Sequence, residues 1–211
     1  MTERDLETRS RLLEAGAKLF AARGFKDVTV REICHEARAN VAAVNYHFGD
    51  KLGLYREILQ TAIDAMRETN DAAREAGRGQ TADEQLRRYI TIFVQRLLGS
   101  KDDTVHRLVS REINEPTPAL DAIVEQGVRP RIEYLSGLVA EITGCSPSDQ
   151  RVLRCVASIQ AQSLAFRPNP IAERLGLVMS PTRANLEEVA DHIATFSIAG
   201  VHAVIDRVPI S

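Results

Sequence analysis

Residues 29–51 read T-V-R-E-I-C-H-E-A-R-A-N-V-A-A-V-N-Y-H-F-G-D-K, and the fold turns on this stretch. Thr29-Val30-Arg31-Glu32 is a capping box, in which the Thr29 hydroxyl takes an orphan backbone N–H and Glu32 reaches back to the cap. It predicts a short helix over about 30–37 with Ile33 and Ala37 inward. Arg38-Ala39-Asn40 is a tight break, and Asn40 caps a second short helix over 41–47. Gly49-Asp50 breaks the chain again before Lys51. Two short helices joined by a three-residue turn form the helix-turn-helix arrangement. A helix that enters a DNA major groove, about 12 Å wide, must be short, capped, apolar inside and small or polar outside. Helix 41–47 fits. Val44 and Phe48 anchor inward, which leaves Val41, Ala42, Ala43, Asn45 and Tyr46 for the groove. Alanine methyls suit a thymine methyl, and Asn45 suits adenine or phosphate. Tyr46 and His47 are sized for phosphate oxygens. Lys51 with the first N–H groups of the following helix, and Thr29 at its own helix start, are anion sites.

Outward from this unit the period stays helical. Leu12, Leu13, Gly16, Leu19 and Phe20 mark a first helix over about 5–22, stopped by Gly24. Leu54, Ile58, Leu59, Ile63 and Met66 mark a fourth over about 51–75. A break at Gly77-Arg78-Gly79-Gln80 precedes a second capping box, Thr81 to Glu84, which starts a helix to about Leu98. Further helices are expected over 103–114 and 119–143, the latter kinked at Pro130. Ser146-Pro147-Ser148-Asp149 reads as a helix start with Pro at the first position, giving a helix over 147–167 that Pro168-Asn169-Pro170 ends. A last helix is expected over 183–206, carrying Leu186, Val189, Ile193, Phe196, Gly200, Val201, Val204 and Ile205. No β-branched alternation between turn signals appears. The expected fold is all-α. An N-terminal three-helix helix-turn-helix domain spans residues 1–51, and a larger helical domain spans 52–211, with the helix over 51–75 as connector.

Composition sets bounds. The 211 residues are 44% hydrophobic and 27% charged with a net charge of −2, which argues against a protein that coats nucleic acid by bulk charge. Residues 1–51 hold nine of the 27 basic and eight of the 29 acidic residues, a net of +1, and the rest carries −3. Cys34, Cys145 and Cys155 are odd in number and share no ligand spacing, which fits a reducing compartment and no disulfide framework. The charged N-terminus is not a signal peptide, and no apolar run of membrane-spanning length occurs. The expectation is a cytoplasmic protein without a membrane partner, cofactor or metal. Glu32 and His35 form a lone E-x-x-H without the second copy that a di-iron bundle needs. Glu188 and His192 at i,i+4 read as a surface pair.

Residues 12–51 resemble the DNA-binding domain of TetR-family transcriptional regulators, through the A-G-A-K-L-F-A-A-R-G-F block at 15–25, T-V-R-E-I at 29–33 and Y-H-F-x-x-K at 46–51. The run N-V-A-A-V-N-Y-H-F-G-D-K-L-G-L-Y resembles the CecR-like subgroup, as do Arg111-Glu112 with Pro116-Thr117-Pro118, and Gln160-Ala161-Gln162 with Phe166. The chain departs from the family at Arg38, where Gly is common, and at Asn45, where Tyr is. The resemblance implies a bacterial homodimer, with no enzymatic activity, on double-stranded palindromic operator DNA. It implies a small-molecule effector that lowers DNA affinity, usually relieving repression. It places phosphate contacts at Thr29 and Lys51, base contacts at Arg31, Val41, Ala42 and Ala43, and backbone contacts at Asn45, Tyr46 and His47, beside the cap Asn40. It joins subunits through helices 147–167 and 183–206, where Ala199, Gly200 and Ala203 permit close packing.

Candidate effector residues are polar positions in apolar surroundings. Gln160, Gln162 and Ser163 interrupt the apolar helix that ends near Phe166. A buried polar side chain needs a partner, and an effector, a neighbouring helix or water would each serve. Arg111 is a further candidate, read also as paired with Glu112. The alternative functions are a helical protein-interaction module and an all-α enzyme with a vestigial helix-turn-helix.

Overall fold

The computed structural model describes residues 2–100, 102–177, 181–182 and 184–205, and every regular element among them is helical. The chain runs through α1 (Glu3–Arg23), α2 (Val30–Glu36), α3 (Val41–Phe48), α4 (Lys51–Ala76), α5 (Ala82–Gly99), α6 (Thr104–Asn114), α7 (Leu120–Ile123), α8 (Arg129–Thr143), α9 (Gln150–Ala165), α10 (Pro170–Arg174) and α11 (Leu186–Ile205). These elements group into two compact units, residues 1–66 with 102–127, and 67–101 with 128–211.

In the first unit, α1 packs on α2, α3 and α6. Leu12 and Phe20 of α1, Ile33 of α2, Val44 of α3, Leu54 and Ile58 of α4 and Leu108 of α6 are buried. All but Leu108 are positions that the sequence reading marked as inward or at helical spacing. The Phe20 and Tyr55 rings meet edge to face at 4.8 Å, a favoured aromatic geometry. The capping boxes form as read: the Thr29 side chain accepts the Glu32 N–H, and the Thr81 side chain accepts the Glu84 N–H. A further box, Thr2 with Asp5, extends α1 toward the N-terminus.

In the second unit, α5, α8, α9 and α11 pack together. Leu86, Tyr89, Ile90 and Val94 of α5 meet Leu135 and Val139 of α8, Val152, Val156 and Ile159 of α9, and Ile193 and Ala194 of α11 in one core.

Three expectations change. The kink at Pro130 takes the form of one π-helical turn, Val124–Val128, between α7 and α8. Pro130 has no N–H to donate and its ring clashes with the preceding turn, and the wider turn absorbs both. The helix expected from 147 starts at Gln150 instead. The Asp149 carboxylate caps it by accepting the Arg151 N–H at 2.8 Å, and Pro147 sits in a turn closed by the Asp149 N–H on the Ser146 carbonyl at 2.9 Å. Pro168-Asn169-Pro170 not only ends α9 but starts α10, with Asn169 as cap and Pro170 in the first turn. The expected ends of the last helix, Arg183 and Asp206, and the side chain of Ile205 lie outside the described residues.

The turn between α2 and α3 holds one strained residue. Arg38 has φ of 51° and is the single non-glycine at positive φ among the described residues. An L side chain there crowds the backbone, whereas Gly does not. Arg38→Gly is expected to raise the unfolding free energy by about 0.5–1 kcal/mol, read as a higher urea midpoint. An unchanged midpoint would show that the Arg38 side chain offsets its own strain.

Candidate nucleic-acid interface

Helix α3 is fixed from three sides. Asn40 accepts the Ala42 N–H at 2.9 Å, Val44 and Phe48 are buried, and Arg9 lies over the Phe48 ring at 5.4 Å while ion-pairing with Glu57. Gly53, in the first turn of α4, completes the seat. A Cβ there would drive into the Phe48 carbonyl oxygen, so α3 and α4 approach at a distance only glycine allows. The sequence reading passed over Gly53, and the close approach that requires it is not written in a hydrophobic period.

With its inner face seated, α3 presents Val41, Ala42, Asn45 and Tyr46 outward, while Ala43 and His47 are half-buried. Tyr46 is 73% exposed, far more than a tyrosine in a core or a structural contact. Its ring meets His47 edge-on at 4.8 Å. Arg31 and Asn40 are also exposed.

The two expected anion positions are already engaged within the chain. Thr29 Oγ1 lies 2.7 Å from Glu32 Oε2, and Arg23 pairs with the same carboxylate at 2.6 Å. Lys51 places its ammonium over the Phe25 ring at 4.3 Å, and partial burial lowers its pKa. The Asp50 carboxylate accepts the Gly53 N–H at 2.7 Å.

Glu32 carries a pH dependence. Its carboxyl is held down to about 2, first by the Arg23 guanidinium and then by the Thr29 hydroxyl and N–H. A depressed carboxyl stabilises the fold above its ordinary value of 4.5, and that contribution is lost as pH falls toward 2. Amide protection in α2 is expected to drop across this window, and Glu32→Gln to flatten the drop. Equal pH dependence in the variant would assign it elsewhere.

The candidate effector residues divide. Gln160, Gln162, Ser163 and Phe166 belong to the second unit, and Arg111 belongs to the first. Gln160 Nε2 donates to the Tyr89 hydroxyl at 3.3 Å. Gln162 Nε2 donates to Ser197 Oγ at 3.1 Å, so α11 supplies its partner. Ser163 is buried and its hydroxyl has no partner. Phe166 meets the His192 ring at 6.1 Å. Arg111 and Glu112 are not a pair, contrary to the sequence reading. Arg111 donates to the Ala22 carbonyl at 2.6 Å. Glu112 turns inward and accepts from the Tyr55 hydroxyl at 2.7 Å and from the Thr117 N–H at 3.1 Å. Adjacent helical residues point about 100° apart, which separates the two side chains.

Residues 12–58 match the family described as bacterial regulatory proteins, tetR family. Residues 82–201 match the C-terminal domain of the HTH-type transcriptional dual regulator CecR. The CecR protein of Shigella flexneri is 30% identical over 176 residues, which cover 79% of this chain and 78% of that one. A TetR-like regulator from Rhodococcus sp. RHA1 has the same fold at a TM-score of 0.67 and 19% identity, covering 92% of this chain and 95% of that one. So does AibR, in complex with isovaleryl coenzyme A and operator DNA, at a TM-score of 0.66 and 16% identity, covering 90% of this chain and 97% of that one. A helix seated for a groove, with a C-terminal half matched on its own account, makes this chain a DNA-binding transcriptional regulator of the TetR family, close to CecR.

Proposed function

We propose that the protein binds a palindromic operator as a homodimer, with one α3 in each of two successive major grooves, and that a small-molecule effector held in the second unit releases it, relieving repression in the bacterial cytoplasm. The observation that carries the DNA reading is the outer face of α3, small at Val41, Ala42 and Ala43 and polar at Asn45, Tyr46 and His47. Arg31 and the cap Asn40 border this face, and Thr29 and Lys51 flank it at two helix starts.

Dimerisation is supported by a bare apolar stripe on the second unit. Leu153, Ala157, Ala161 and Leu164 follow one another along the exposed side of α9, and Phe196, Ala199, Gly200 and Ala203 along that of α11. An apolar stripe of this length is rarely left to water, and its small residues admit a second pair of helices at close range. A twofold dimer sets the two reading helices about 34–36 Å apart or a multiple of it. Effector response is carried over from the fold shared with AibR, and Gln160, Ser163 and Phe166 are the residues we assign to it, with Gln162 behind them on Ser197. Helix α4 runs unbroken from Lys51 to Ala76, through both units, and is the proposed lever. An effector acts by binding one spacing of the two α3 helices better than the other.

Fluorescence anisotropy on the DNA flanking the protein's own gene, at several salt concentrations, tests this. The operator is expected to bind at least ~10³-fold tighter than scrambled DNA. Lys51→Ala is expected to weaken both DNAs alike and to lower the salt slope by about two per dimer. Tyr46→Ala is expected to weaken binding without loss of stability, because its side chain packs on little. Wild-type affinity in both variants would sink the contact assignment.

A further inference from the structure

We infer that the effector unit is built for a small planar carboxylate, received by the guanidinium of Arg131 and the hydroxyl of Tyr89, two side chains that both pack on the Phe93 ring. The inference rests on the reading that this unit binds an effector, and it adds the ligand's charge and shape.

Three helices converge on the place. Arg131, in the first turn of α8, lies over the Phe93 ring of α5 with Cζ 5.4 Å from its centroid. The Phe93 ring stacks on Tyr89 at 5.8 Å and 12°, and Gln160 of α9 donates to the Tyr89 oxygen. Tyr134 of α8 stands 6.1 Å from Tyr89 and carries a second guanidinium, Arg74, over its ring at 4.7 Å. Arg74 also donates to the Pro130 carbonyl, so two cations flank the start of α8.

Among the described residues no carboxylate lies within ion-pair distance of Arg131, and its Nε–H is buried with no acceptor. The ring of Phe93 attracts the face of the guanidinium, but its N–H groups point outward in the plane of the group and need oxygen there. Tyr89 is 1% exposed. Its oxygen accepts from Gln160, and its own proton reaches no acceptor among the described residues. Burial raises its pKa, so the phenol stays a donor. Ser163 lies three residues along α9 from Gln160, hence on the same side, and its hydroxyl is buried and unpartnered. Leaving the buried Arg131 Nε–H and the Tyr89 phenol proton unsatisfied is costly. A planar carboxylate satisfies both, bidentate on Arg131 and single on Tyr89, with its apolar body against the aromatic rings.

Benzoate and benzamide share a shape and differ in charge, and they are the probes. On the full chain, benzoate is expected to raise the melting midpoint saturably and benzamide to leave it unchanged. Arg131→Gln is expected to abolish the benzoate shift, and Tyr89→Phe to weaken benzoate about tenfold, as loss of a hydrogen bond to a charged group does. If Arg131→Gln does not fold, Arg131→Lys carries the test, with benzoate retained but weakened by loss of the bidentate fork. A saturable benzoate shift of equal size in the Arg131 variant, or none in the wild type, overturns the inference. Operator affinity in the same samples separates the two claims. Benzoate that binds through Arg131 yet never alters operator affinity leaves the carboxylate site standing and removes the effector reading. Operator release by neutral compounds, indifferent to Arg131, keeps the effector reading and removes this site.

Discussion

Phe196→Asp is expected to convert the protein into a folded monomer of 23.3 kDa and to reduce operator affinity on the order of a hundredfold or more. Phe196 is 63% exposed in the single chain. Asp at that place therefore costs the isolated subunit little, as exposed substitutions usually do. In the proposed dimer the same position is covered, and twofold symmetry places two carboxylates in the joint, where unpaired charge is expensive. The loss of DNA affinity follows from valence. In a dimer the second α3 binds at the high effective concentration that the first contact creates, and a monomer forfeits that gain without losing a single contact of its own. Light scattering reads the mass and anisotropy reads the affinity. A dimer that survives Phe196→Asp, or a monomer that holds the full operator at wild-type strength, would refute the arrangement. Leu164→Asp on α9 is expected to behave alike.

Glu112→Ala is expected to lower the stability of the first unit by about 3 kcal/mol or more. Glu112 is 1% exposed. Its two oxygens take the Tyr55 hydroxyl on one side and the Thr117 N–H and hydroxyl on the other. Alanine leaves one buried donor, the Tyr55 hydroxyl, and two half-buried donors of Thr117 without an acceptor, and a void where the side chain stood. Glu112→Gln is the informative contrast. Its amide oxygen accepts from Thr117 and its N–H donates to Tyr55, so about 1 kcal/mol is expected. Urea unfolding reads both. Equal losses in the two variants would show that charge, not hydrogen bonding, is what the site requires.

Much of this was legible in the chain itself. Thr29-Glu32, Asn40 and the Val44/Phe48 pair define α2 and α3 from local rules, because caps and helical spacing act over a few residues. Pro130 announced a disturbance, though whether it is a kink or a π turn depends on what α8 packs against. Pro147 misled, because Pro at a helix start and Pro in a preceding turn look alike until Asp149 is seen to cap. Asn169-Pro170 carries a cap and a first-turn Pro, and was overlooked as a mere terminator. Side-chain partners were the hardest part. Arg111 and Glu112 are neighbours in sequence and part company in space, and Tyr55 meets Glu112 across 57 positions. Arg131 gave no signal at all, since an arginine at a helix start looks like any solvated charge until Phe93 and Tyr89 are found beneath it.

The first unit is discontinuous in sequence, leaving the chain at residue 66 and resuming at 102. A ribosome delivers residues in order, at about 5–20 per second. The nascent reading head therefore emerges before α6, which supplies Leu108, Arg111 and Glu112 to its packing. It waits, incompletely buried, until residues 67–101 have been made and looped out. Closing such a loop adds little entropy cost as its length grows, so the delay is one of synthesis rather than of free energy. A fragment cut at residue 51 or 66 to serve as a portable DNA-binding cassette would keep every side chain proposed to face the bases and lose the helix that closes its core.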